Sequence, residues 1–130
     1  MKNNFINIYY LLSIAWAFCI LFATLSSSAS LSGFNLLDIF QYDKPIHATL
    51  FGVQAWLLIK ARTKSSHKNF LQIVLFSCLI STGYGVLTEI LQGIFVLLGR
   101  SFDVMDMFAD AIGCAVVYFW FRFKNKPFAQ

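Results

Sequence analysis

Charge is what this sequence has least of. Asp, Glu, Lys and Arg supply 12% of the 130 residues, about half the share usual in soluble domains, while hydrophobic residues reach 58%. A soluble chain of this length cannot bury so much apolar surface, so the surplus must face lipid, and a water-soluble domain is excluded. Cysteine is scarce as well. Cys19, Cys78 and Cys114 are odd in number, lie inside apolar runs and show no CxxC spacing, which argues against a disulfide framework or a zinc knuckle and leaves them as small packing residues. The net charge is +4, but no basic stripe or stacking platform accompanies it, so nucleic acid is not an expected partner. No GxSxG nucleophile motif occurs.

What the chain has is long apolar runs. Four spans are expected at about 5–25, 45–61, 70–92 or longer, and 104–123, giving an all-α integral membrane protein, a bundle of four transmembrane helices forming one domain over residues 1–130. The first run exceeds the apolar core of a signal peptide, so it reads as an uncleaved span although Ser27-Ser28-Ala29 resembles a cleavage site. Asp43 and Pro45 suit the start of the second span, as cap and first-turn residue. The third run continues towards Leu98, with Gly83, Gly85, Gly93 and Gly99 as places to kink or stop. Gly83, Gly85 and Gly113 are expected to let helices approach closely, with a kink as the alternative role for Gly83.

With four spans, eight of the ten cations fall on one side: Lys2, Lys60, Arg62, Lys64, Lys68, Arg122, Lys124 and Lys126. The positive-inside rule makes that side and both termini cytoplasmic, in contact with anionic membrane lipid. Lys44, Arg100 and all six carboxylates fall on the other side. Chemistry is therefore expected at the acidic end.

Three groups of residues converge there. Asp103, Asp106, Asp110 and Gly113 are spaced as one helix stripe. Asp103 and Asp106 suit capping, but Asp110 lies two turns in, too deep for a cap. Ser81, Gly85, Glu89 and Gln92 share a face of the third span, where a glutamate costs roughly 2.5–3.5 kcal/mol in lipid and must find a partner in the bundle. Asp43, Lys44 and His47 begin the second span. The expected arrangement is a polar pocket opening outward, formed by Asp43, Lys44, His47, Glu89, Gln92, Asp103, Asp106 and Asp110, with Arg100 compensating its charge. His47, Glu89 and Asp106 are the catalytic candidates, and carboxylates with a histidine can also hold a divalent metal; no other cofactor is expected.

These residues carry a resemblance. "DKPIHATLF" (43–51) resembles the D-K-x-x-H-x-x-x-F/Y element of the VanZ-like family, named for a bacterial teicoplanin-resistance protein. The later stretch 89–113 resembles the family's E-x-x-Q, R-x-x-D-x-x-D and N-x-x-G elements in order, with Asp110 standing where the family has asparagine. The resemblance spans residues 5–123. It implies a small multi-pass protein of the bacterial inner membrane, with a connection to glycopeptide resistance in one member. Three functions fit. A non-catalytic protein would bind a lipid headgroup or lipid-linked cell-wall precursor. A membrane enzyme would act on such a headgroup, with His47 and Glu89 as acid and base. A proton or ion pathway would need polar groups in the cytoplasmic half, where mainly Ser13, Gln54, Gln72 and Ser77 are found.

Overall fold

The computed structural model describes residues 7–26, 43–65, 69–95 and 101–125. They form four helices: α1 (Ile8–Leu25), α2 (Asp43–Ser65), α3 (Phe70–Ile94) and α4 (Val104–Lys124). No strand occurs among the described residues. Three of the four, α1, α3 and α4, are long and apolar enough to cross a membrane, and the chain is a helical membrane protein.

Three of the helices start where the sequence offers a side-chain acceptor for orphan backbone donors. Asn7 caps α1 through Tyr9 N–H, Asn69 caps α3 through Leu71 N–H, and Asp103 caps α4 through Met105 N–H. The second helix exceeds its expected bounds of 45–61 at both ends. Its 23 residues extend about 35 Å, with Asp43 and Lys44 at the start, Lys60, Arg62 and Lys64 at the end, and no Asp, Glu, Lys or Arg in residues 45–59 between. This charged-ended helix lies innermost, in contact with all three others; Phe51, Ala55, Ile59 and Ala61 are fully buried. The third helix runs unbroken through Gly83 and Gly85 and stops at Ile94, so neither glycine interrupts it.

The outside of the bundle is greasy: Phe18, Phe22, Leu79, Ile112, Val116 and Trp120 are all exposed. Polar groups lie inside, including Ser13, Gln54, Ser77, Ser81 and Thr88. Lipid supplies no hydrophobic drive between helices, so small and polar residues at the contacts hold the bundle together. Ser77 Oγ donates to Ile73 O at 2.7 Å and Thr88 Oγ1 to Gly85 O at 2.8 Å, which satisfies those hydroxyls within their own helix. Gln54 Nε2 reaches Ser13 Oγ at 2.9 Å and ties α2 to α1. The cysteines are free; Cys78 and Cys114 pack in the core, with Cys78 Sγ donating to Cys114 O at 3.4 Å.

The helices alternate in direction. Asn7 Nδ2 donates to Ala61 O at 2.7 Å, joining the start of α1 to the end of α2. Phe70 and Phe121 rings meet 6.0 Å apart where α3 begins and α4 ends. Gln92 Nε2 donates to Thr24 O at 2.9 Å at the opposite end. The residues from Lys60 to Lys64 and from Arg122 to Lys124 therefore share one end, and Lys44, Glu89, Asp103, Asp106 and Asp110 share the other.

Candidate functional site

The deepest part of the acidic end is a contact between three helices. His47, one turn into α2, is 5% exposed; Glu89 of α3 and Asp110 of α4 are 0% exposed. His47 Nδ1 lies 3.0 Å from Asp110 Oδ1 and 4.0 Å from Glu89 Oε1. The imidazole also stacks on Phe51 one turn below, with centroids 6.2 Å apart and planes at 22°, which fixes the ring between an aromatic floor and two carboxylates.

Glycine sets these separations. At Gly85 a Cβ atom would lie 2.5 Å from Asp110 Oδ2, so only a residue without a side chain lets the Asp110 carboxylate pack on α3. At Gly113 a Cβ would run into the Ala48 carbonyl, whose carbon is 2.7 Å away, so α4 meets α2 backbone to backbone. Gly52 faces the Gly113 carbonyl across the same crossing, where a Cβ would sit 3.2 Å from the oxygen. Gly83 does no such work: a Cβ there meets nothing within 4 Å.

A second layer covers the trio. Asp103 N–H donates to Glu89 Oε2 at 3.1 Å, while its carboxylate caps α4 and lies 3.5 Å from Lys44 Nζ. Asp106, 6% exposed, approaches Lys44 Nζ at 3.4 Å. The Asp106 carboxylate beside it holds the Lys44 ammonium above its ordinary pKa, with Asp103 adding to the effect against a smaller loss of hydration. Lys44 and Asp103 side chains are 48% and 42% exposed, so a line of polar groups runs from the surface through Glu89 to the buried trio, with a 4.0 Å gap between Glu89 Oε1 and His47 Nδ1.

The structure therefore gathers Lys44, His47, Glu89, Asp103, Asp106 and Asp110, but not as the single acidic wall expected from spacing. Asp103 is the N-cap, with φ −126° and ψ 114°, and the 3.6-residue wheel does not apply to it. Asp106 turns to Lys44 and Asp110 to His47. Gln92 faces Thr24 and ties α3 to α1. The Asp43 side chain and Arg100 lie outside the described residues. Sequence reasoning missed Thr24 and Gly52. Thr24 meets Gln92 through its backbone carbonyl and leaves no side-chain signal, whereas Ala48 and Gly52, four apart, form a small-xxx-small pair that could have located the crossing.

Chemically, the trio can exchange a proton between imidazole and carboxylate, and its three donor atoms, one from each residue, lie within 4.8 Å of one another. Buried side-chain atoms with no hydrogen-bond partner among the described residues include Glu89 Oε1, Gln92 Oε1, Ser81 Oγ and Gln54 Oε1. Only the first of these points into the trio.

The family model described as VanZ/LLP1 matches residues 4–125. No curated protein and no solved structure matches the chain. The family match covers nearly the full length, and the chain belongs to the VanZ/LLP1 family.

Proposed function

We propose that this VanZ/LLP1 protein, in the bacterial cytoplasmic membrane, holds the polar headgroup of a lipid-linked envelope precursor at its acidic end, and that this binding underlies a link to glycopeptide (teicoplanin) resistance. The observation that carries the reading is the polar chain leading inward from Lys44 and Asp103 to Glu89, His47 and Asp110. Ionisable groups this deep in a membrane bundle are costly and mark functional sites. Lys44 suits a phosphate oxygen, and the carboxylates suit sugar hydroxyls or an ammonium group. An apolar groove of about 300 Å³ beside Lys44, lined by Trp16, Pro45, Ile46, Thr49, Leu50 and Val53, has the character a lipid tail needs.

The charge bias of the sequence puts the acidic end outside the cell, where cell-wall precursors are consumed. Cysteine labelling of intact cells, in a background without native cysteines, checks the orientation: residue 30 is modified and residue 66 is not. Binding is tested with the purified chain in nanodiscs, comparing a lipid-linked cell-wall precursor with plain phospholipid. The precursor binds preferentially, and Lys44→Gln combined with Asp106→Asn weakens it at least tenfold while the protein stays folded. Equal binding by wild type and variant removes the reading.

A further inference from the structure

We infer that His47, Glu89 and Asp110 form a binding site for one first-row divalent cation, with zinc or manganese as the fitting class. Three lone-pair atoms converge on one point: His47 Nδ1, Glu89 Oε1 and an Asp110 carboxylate oxygen, all within 4.8 Å. The separate observation is the state of Glu89. Its side chain is completely buried, and Oε2 accepts the Asp103 N–H at 3.1 Å, while Oε1 has no hydrogen-bond partner and lies 4.0 Å from His47 Nδ1. A buried carboxylate oxygen without a donor carries the full cost of lost hydration. Nδ1 can hold one proton at most, and Asp110 Oδ1, at 3.0 Å, is the atom that proton reaches. A cation at the centre satisfies Glu89 Oε1 together with the other two.

The donor set selects the metal. One imidazole nitrogen and two carboxylate oxygens suit zinc or manganese, whereas calcium takes six to eight oxygens. Zinc ligands about 2.0–2.2 Å from the ion are roughly 3.4 Å apart in a tetrahedron. The His47–Glu89 separation of 4.0 Å is therefore longer than that and the His47–Asp110 separation of 3.0 Å shorter; with all three atoms within 4.8 Å, side-chain movements on the order of an ångström close them around an ion. Supporting contacts for the ligands are already in place: the Asp103 N–H orients Glu89, and Phe51 holds the imidazole plane. Three protein ligands leave a fourth position, the arrangement of sites that bind an exchangeable group.

This site is the inner end of the polar chain on which the headgroup reading rests, and the two readings are separable because Lys44 is no metal ligand. The test uses the untagged full-length chain in detergent, stripped with chelator, reloaded with Zn²⁺ or Mn²⁺ and desalted. The expected result is one retained equivalent and a raised unfolding temperature, both kept in Lys44→Gln and reduced at least tenfold in affinity in His47→Ala and Glu89→Gln. Wild-type protein that is folded and retains no metal overturns the proposal, and so does equal binding by folded variants. Should the variants fail to fold, Co²⁺ decides in His67→Ala, where His47 is the remaining imidazole. Paramagnetically shifted imidazole protons support the site, and their absence sinks it.

Discussion

The two ends of the bundle handle charge in opposite ways. At the acidic end, Glu89, Asp106 and Asp110 are drawn inside, and one half-exposed lysine serves two carboxylates. At the basic end, none of the described cations is buried: Lys60 and Arg62 are half-buried, and Lys64, Arg122 and Lys124 are exposed. Lys60 Nζ lies 5.5 Å from the Trp56 ring centroid and Lys64 Nζ lies 4.7 Å from that of Tyr9, so each ammonium sits over an aromatic face. Cations placed that way cost the fold little, and setting topology is reason enough for them. Buried carboxylates are different. They weaken the fold unless partnered, so their presence at one end alone points to a role that folding does not supply.

The largest expected effect tests the packing that makes the acidic end. Gly113→Leu drives a side chain into the α2 backbone at Ala48, which cannot retreat without separating the helices. Folded protein recovered in detergent should fall to near zero, and normal yield would show that α2 and α4 do not cross there.

His47→Ala comes next. It leaves Glu89 and Asp110 buried without the imidazole between them, and removing one partner from a buried charge pair costs about 3–5 kcal/mol. Denaturant or thermal unfolding in detergent measures it. A change below about 1 kcal/mol would mean that the two carboxylates take up protons without strain, and that the trio is not a charged centre.

A smaller effect of opposite sign is expected on the lipid-facing side of α3. Gly83→Ala adds a methyl group where nothing lies within 4 Å and raises local helix propensity, stabilising by about 0.5–1 kcal/mol. Gly85→Ala, two residues on, should destabilise by forcing Asp110 aside. Equal effects at the two positions would break the distinction between them.

The smallest effect belongs to the basic end. Lys124→Gln, in the last turn of α4, should change unfolding by no more than about 0.5 kcal/mol, and orientation should survive because the other cations remain. A loss comparable to that of His47→Ala would show that the two ends are not built on different plans.

Much of this was legible in the sequence, for identifiable reasons. Membrane character followed from composition, because apolar surface beyond what 130 residues can bury has only lipid to face. The start of α4 was legible at Asp103, whose capping chemistry is local, whereas α2 begins at Asp43, the residue expected to be its cap, two positions before Pro45. The segregation of charge followed from counting spans, and it brought Lys44, His47, Glu89 and the aspartates to one end. The reading of Asp103, Asp106 and Asp110 as one wall went further than a helical wheel permits, since the wheel presumes helix at a residue that turned out to be the cap. Which carboxylate meets which partner was decided by tertiary structure alone. Asp110 reaches His47 because α4 crosses α2 at Gly113, Ala48 and Gly52, and because Gly85 leaves room for its carboxylate. Spacing along one helix specifies a face; only the distance between helices, set here by glycines on three of them, specifies what that face touches.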